Sequence, residues 1–197
     1  MRAERREIRD LLRQLTPEQW RQDSLCAGWT VRDLVAHLVA WDELLLYRTR
    51  REHAEVFAKF AALHATSFAS MRLLNYRLQR RTRDLDPPAL TRRFAGDDGA
   101  HLKWLFDGTN RAAQLAEYVI HHEDIRRPLG LCRTVPSDRL AAGLEGILRL
   151  PGVRASAWWR LRRARVQASD IDWVRGRGPV KRMTGEAALM WLAGRTA

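Results

Sequence analysis

The sequence predicts a mainly helical protein with a small α/β segment at its C-terminal end. Apolar residues recur at helical spacing through residues 1–130. Short strand-like runs occur only after residue 160, beside a glycine- and proline-containing turn. We therefore divide the chain into a helical bundle, residues 1–130, and a small C-terminal α/β appendage, residues 131–197. A chain of 197 residues is long enough to bury a core in such an arrangement.

Caps and helix breakers set the bounds of the predicted elements. Thr30 with Asp33 resembles a capping box, and Thr16 followed by Pro17 predicts a short helical turn. Pro87 and Pro88 are expected to end the third long helix. The predicted helices cover residues 4–15, 30–46, 54–84, 110–127, 136–150 and 184–192. The predicted strands cover residues 164–168, 171–174 and 180–183, with a turn at 176–179.

The charge balance favours an anionic partner. The chain has 35 Lys and Arg residues against 23 Asp and Glu residues, a formal net charge of +12. Most of the cations are spread along the sequence, and the densest segment is 154–165, which also contains Trp158 and Trp159. That segment either stacks on nucleic-acid bases or is a basic edge exposed to solvent. We expect weak, nonspecific nucleic-acid binding at most.

The sequence has no segment typical of a membrane helix or a signal peptide. Its apolar run at residues 34–46 is broken by His37, Asp42 and Glu43, and its first ten residues are highly charged. Cys26 and Cys132 form no CxxC pair. We therefore expect a reduced, cytoplasmic protein with no membrane partner.

One predicted helix carries a polar stripe with metal-ligand spacing. Glu117 and His121 are four residues apart, so their side chains leave the same face of the helix. Asp124 and Asn110 extend the stripe, whereas His122 points about 100° away from His121. Such a stripe is either the solvated face of the helix or part of a metal site.

His37 lies inside an apolar run, which is an unusual position for a histidine. Either it is a core residue with hydrogen bonds to both ring nitrogens, or one of these nitrogens binds a metal. If helices cross in a bundle, His37 can face Glu117 and His121. Two imidazoles and a carboxylate leave an open coordination position, as in catalytic zinc sites of the His₂Glu type.

Three motifs resemble the mycothiol-dependent maleylpyruvate isomerase family, which belongs to the DinB-like metal-binding proteins. The first is LCAGWTVRDLVAHL at residues 25–38, and the second is EYVIHHEDIRR at residues 117–127. The third, MTGEAALMWLAGR at residues 183–195, is similar to the C-terminal helix of the family. More narrowly, the first two motifs resemble a short actinobacterial subgroup.

The resemblance implies a DinB-like four-helix bundle that binds a divalent metal, with zinc as the first candidate. The implied ligands are His37, Glu117 and His121. An acidic residue of the family corresponds to Asp124, which would orient a ligand histidine without binding the metal itself. Asn110 continues the same stripe. Three arginines are candidates for binding carboxylates, or else are solvated surface residues: Arg32, Arg126 and Arg127.

The implied function is activation of a low-molecular-weight thiol, such as mycothiol, for attack on a small electrophilic substrate. The reaction would be an isomerisation or a thiol transfer. Two alternatives stay open: a non-enzymatic metal-binding protein, and a basic nucleic-acid-binding regulator that uses residues 30–46 in a helix-turn-helix. Against the regulator, that helix has only Arg32 before Arg48. Cys26 is either a second reactive thiol or a small residue packed under Trp29.

Overall fold

The computed structural model describes residues 1–47, 50–66, 71–95, 103–104, 111–150 and 152–195. The chain forms two compact units, Arg2–Asp107 and Gly108–Ala197, which are described in turn. The described residues are mainly helical, and a three-stranded sheet lies near the C-terminal end. This confirms the predicted mainly α class with a small α/β region. The domain boundary predicted at residue 130 stays a prediction.

The described residues of the N-terminal unit are mainly helical and include one pair of two-residue strands. Strand β1 pairs antiparallel with β2, and α3 packs against α2, α4, α5 and α6. The elements are α1 (Arg2–Leu12), α2 (Pro17–Arg21), α3 (Val31–Leu45), β1 (Leu46–Tyr47), α4 (Arg50–Thr66), α5 (Met71–Gln79), α6 (Pro87–Ala95) and β2 (Lys103–Trp104).

Both predicted caps are present in this unit. The Thr16 hydroxyl accepts from the Gln19 amide, and the Gln19 side chain accepts from the Thr16 amide, which completes a capping box at α2. Before α3, the Asp33 carboxylate accepts from the Thr30 amide at 3.0 Å, and the Thr30 hydroxyl accepts from the Asp33 amide at 3.2 Å. These reciprocal bonds satisfy amides that have no partner within the helix and so fix where α3 begins.

Two predictions about the middle of this unit are wrong. The helix predicted to run to residue 84 ends at Gln79, and turns follow; there the Thr82 hydroxyl donates to the Ala36 carbonyl at 2.8 Å. Pro87 and Pro88 do not simply end a helix, because they form the first turn of α6. Proline suits that position because N–H groups in the first turn have no acceptor within the helix, so its lack of an N–H costs nothing. The Asp86 carboxylate accepts a hydrogen bond from the Ala89 amide and so caps α6. The predicted loop at 97–99 lies outside the described residues.

In the C-terminal unit, the described residues form four helices and the small sheet. Helices α7 and α8 pack side by side, and α10 packs on α8. Strand β3 lies in the centre of the sheet, antiparallel to β4 and parallel to β5. The elements are α7 (Arg111–Arg126), α8 (Ser137–Ile147), α9 (Arg154–Arg163), β3 (Arg165–Ala168), β4 (Val174–Gly176), β5 (Val180–Met183) and α10 (Gly185–Leu192).

The close approach of α8 to α7 depends on a glycine. A Cβ atom at Gly146 would lie 1.9 Å from the Ala112 carbonyl oxygen, so no larger residue fits at this spacing. Gly143, one turn earlier, has room, because the nearest atom to its Cβ position is a Leu189 methyl at 3.4 Å. The backbone itself therefore sets the separation of the two helices at Gly146.

Predictions for this unit hold for β3, β5 and α10 and fail in two places. The strand expected at 171–174 begins only at Val174, because the Ala168 amide donates to the Trp173 carbonyl and closes a turn there. Helix α9 was not predicted, since only Ala157 and Leu161 of its apolar residues are buried, too few for a helical pattern.

Among the described helices, none is both long and apolar enough to cross a membrane.

Candidate metal centre

Helix α7 brings three of the predicted site residues into one hydrogen-bonded group. Nε2 of His121 lies 3.0 Å from Oε1 of Glu117, and Nδ1 lies 2.9 Å from Oδ2 of Asp124. The spacings of four and three residues place all three on the same helical face. Both ring nitrogens of His121 therefore face carboxylate oxygens, and the ring is almost completely buried.

Asp124 is held from the other side by Arg195. The guanidinium donates from Nε to Oδ1 at 2.8 Å and from Nη2 to Oδ2 at 2.7 Å, a bidentate pair. Burial by itself would raise the pKa of Asp124, but the hydrogen bonds from Arg195 and His121 lower it to about 2. Asp124 is therefore a carboxylate at neutral pH and accepts a hydrogen bond from Nδ1–H of His121. Nε2 is then the ring nitrogen left on the Glu117 side.

Further ion pairs surround this group within the C-terminal unit. Arg133 donates to the buried Glu123 carboxylate at 2.6 Å, and Arg127 donates to Glu186 at 2.5 Å. Burial raises the pKa of Glu123, although the hydrogen bond from Arg133 opposes this rise. These contacts fix the end of α7 against the residues that follow it.

His122 lies on a different face of α7 from Glu117. It is fully buried, and its Nε2 accepts a hydrogen bond from Nε of Arg126 at 2.8 Å. This placement agrees with the expected rotation of about 100° between neighbouring helical residues. Nε2 of His122 therefore has its hydrogen-bond donor within its own helix.

His37 belongs to the N-terminal unit, in the middle of α3. Its side chain is 3% exposed, and the rings of Trp29 and Trp41 lie beside it, with centroids 5.1 Å and 6.3 Å away. Gly28, with a φ of +77°, allows the turn that brings Trp29 onto this histidine. His37 is thus a buried imidazole in an aromatic setting, and its role as a metal ligand stays a prediction.

The three arginines predicted to bind anions all contact acceptors in the chain. Arg32 donates to the carbonyls of Leu85 at 3.0 Å and Arg83 at 2.5 Å, and so holds the segment after α5. Arg126 contacts His122, and Arg127 contacts Glu186, as described above. Their part in binding a substrate stays a prediction. Asn110, predicted to support the ligands, lies outside the described residues.

The sequence reasoning did not assign Arg195 a place in the site. It lies 71 residues from Asp124, and no local pattern connects the two. Gly194, with a φ of +83°, adopts the left-handed conformation that ends α10 and turns the chain just before Arg195. The only available signal was the position of Arg195 at the end of the third motif.

The donor set on α7 suits a divalent transition metal. Two donors of a tetrahedral zinc site, each about 2.0–2.2 Å from the ion, lie roughly 3.3–3.5 Å apart. Nε2 of His121 and Oε1 of Glu117 are 3.0 Å apart, close to that spacing. A ligand histidine that donates its other N–H to a carboxylate is the usual arrangement in metal sites. The residues therefore fit a metal ion.

Comparison with known proteins adds one match. A family model described as mycothiol maleylpyruvate isomerase N-terminal domain matches residues 1–126. The chain belongs to this family. The match confirms the family resemblance inferred from the first two motifs, and it includes α7 with Glu117 and His121. No curated protein and no solved structure gives a significant match.

Proposed function

We propose that the protein binds one divalent metal ion through His37, Glu117 and His121 and uses it to activate a low-molecular-weight thiol. The observation that carries the proposal is the geometry of His121. Its Nδ1 is held by Asp124 and Arg195, and its Nε2 lies beside the Glu117 carboxylate. Membership of a family named for mycothiol supports a thiol as the first substrate.

Each residue has a distinct task in this proposal. Asp124 keeps the proton on Nδ1 of His121 and fixes the plane of the ring, and Arg195 keeps Asp124 ionised. Glu117 adds one negative charge, so a divalent ion in the site keeps a net positive charge. A divalent ion held there would lower the pKa of a thiol and so favour its nucleophilic thiolate form.

The second substrate is proposed to be a small electrophile with carboxylate groups. Arg32, Arg126 and Arg127 provide positive charge, and guanidinium groups suit bidentate carboxylate binding. The reaction would be an isomerisation, if the thiol leaves after addition, or a transfer, if it stays attached. Zinc is the first candidate for the metal, because imidazole and carboxylate ligands suit it.

Metal analysis tests the ligand assignment. We expect about one divalent ion per chain in the purified protein, and a loss of that ion in His121→Ala, measured by elemental mass spectrometry. His122→Ala is the matched control, because the same side chain is removed one residue away on the same helix. It should keep its metal. Retention of the metal in His121→Ala would refute the assignment.

A turnover assay tests the reaction separately from metal binding. Mycothiol and maleylpyruvate, the substrates that the family name suggests, are supplied together, and substrate loss is followed by chromatography. We expect consumption that needs the thiol and stops after chelation and in His37→Ala. A protein that binds metal but shows no thiol-dependent turnover would be the non-enzymatic metal-binding protein instead.

A further inference from the structure

The C-terminal unit carries a basic and aromatic surface that the metal chemistry does not use. It consists of α9 and the segment 175–182, and we name it the α9 surface. Its two stretches contain eight cations and no acidic residue. The cations are Arg154, Arg160, Arg162, Arg163, Arg175, Arg177, Lys181 and Arg182.

The two stretches form one continuous surface because glycines let them meet. A Cβ at Gly176 would lie 2.1 Å from the Ala164 carbonyl oxygen, and one at Gly178 would lie 2.9 Å from the Arg163 carbonyl oxygen. The Arg177 amide also donates to the Leu161 carbonyl at 2.7 Å. The turn after β4 therefore packs directly on the C-terminal end of α9.

Two tryptophans are exposed on this surface. Trp158 is 51% exposed and Trp159 is 56% exposed, although Ala157 and Leu161 of the same helix are buried. The Arg163 guanidinium carbon lies 3.8 Å from the centroid of the Trp159 ring, and the Trp158 indole N–H donates to the Leu148 carbonyl. The rings are thus held in place rather than free to rotate, yet they remain open to solvent.

The α9 surface has no acidic residue of its own to neutralise its positive charge. Arg175 is paired with Glu145 at 2.8 Å, and Arg160 lies near the Trp191 ring. Arg162 and Arg163 are exposed in the last turn of α9, where the helix dipole favours positive charge. A dense row of cations beside fixed aromatic rings is the arrangement that binds single strands.

We propose that the α9 surface binds single-stranded nucleic acid without reading its sequence. Its arginines would neutralise phosphates, and the two tryptophans would stack on unpaired bases. A duplex offers no such base faces, so the single strand is preferred. A membrane is a poorer partner, because Ala157 and Leu161 of α9 face the protein, so the two tryptophans are the only large apolar side chains that this helix offers to lipid.

Fluorescence anisotropy with a labelled oligo-deoxythymidine strand and the full-length protein tests this proposal. We expect binding at about 50 mM salt that weakens steeply by 200 mM. Trp159→Ala should weaken binding about 5- to 100-fold with little change in the salt dependence, and Trp159→Phe should retain most of the affinity. Arg162→Gln with Arg163→Gln should lower the salt slope by about 0.7 for each lost phosphate contact.

The control removes the same charge elsewhere. Arg80→Gln with Arg81→Gln takes two exposed cations from the N-terminal unit and should leave the affinity almost unchanged. Three results would overturn the proposal: no binding at low salt, equal losses in the control and in the arginine variant, or tryptophan-dependent binding to phosphatidylserine vesicles without binding to the oligonucleotide. None of these depends on the metal site.

Discussion

Asp124 and Arg195 form an ion pair beside the candidate ligand His121, in which the carboxylate is buried and the guanidinium is 22% exposed. Asp124 is fully buried, and its carboxylate serves both the imidazole and the guanidinium. Removing one partner of such a pair leaves a buried charge without compensation, which costs more than the pair contributes. The arginine therefore affects both the stability of the unit and the orientation of the histidine.

We predict that Arg195→Met lowers the free energy of unfolding by about 3 kcal/mol at neutral pH. Urea unfolding followed by circular dichroism measures it. Arg175→Met is the matched control, because its pair with Glu145 in the same unit is largely exposed and should contribute less than about 1 kcal/mol. Equal losses of unfolding free energy in the two variants would show that burial of Asp124 does not make its ion pair more stabilising than an exposed one.

The Asp124–Arg195 pair also predicts how the stability of the fold depends on pH. The pKa of Asp124 is about 2 in the folded protein against 3.8 without the fold. Because the folded pKa is lowered, its stabilising contribution of about 2 kcal/mol is complete above about pH 4 and disappears as the pH falls toward 2. Arg195→Met should lose this acid dependence, since burial then acts on Asp124 without the guanidinium. The difference between wild type and variant should shrink as the pH falls.

At the scale of elements, Gly146 sets the distance between α7 and α8. We predict that Gly146→Ala destabilises the protein by about 3 kcal/mol, because its Cβ would meet the Ala112 backbone and the helices must separate. Gly143→Ala, on the same helix, should be neutral or stabilise by up to about 1 kcal/mol, since alanine favours helix and has room. Thermal unfolding of both variants checks the contrast.

Local signals explain which elements could be predicted. Thr184 caps α10, and Thr30 with Asp33 caps α3, so their starts follow from a few neighbouring residues. Pro87 was ambiguous, since proline both ends one helix and begins the next. Helix α9 has too few buried apolar residues to show a pattern. Elements that depend on distant contacts were the ones missed.

In the candidate site, too, contacts between near neighbours in the sequence could be predicted and distant ones could not. The spacing of Glu117, His121 and Asp124 on one helix predicted their contact, and the structure brings these three together. The contact with Arg195 depends on the tertiary fold of the C-terminal unit, so spacing alone could not predict it. The assignment of His37 depends on the family motif, and no geometry within its own unit tests it.

At the scale of the whole molecule, metal binding should couple to stability. A ligand present at 100 times its dissociation constant adds about 2.7 kcal/mol to the free energy of unfolding. For a chain of this size we predict a rise in melting temperature of roughly 5–10 °C with zinc, reversed by chelation. Scanning calorimetry measures it. His37→Ala should abolish the shift, whereas His122→Ala should preserve it; a full shift in His37→Ala would exclude that residue as a ligand.

The link from Asp124 to Arg195 also orders events during folding. It joins residues 71 apart and closes a loop that includes α8, α9, the sheet and α10, so we expect it to form only after these elements have assembled. Until then, Asp124 lacks the guanidinium that holds its carboxylate in place, so the tautomer and plane of the His121 imidazole are fixed only by contacts within α7. If the site binds metal as proposed, a partly folded chain would bind the ion weakly, and metal content would distinguish a completed C-terminal unit from a misfolded one.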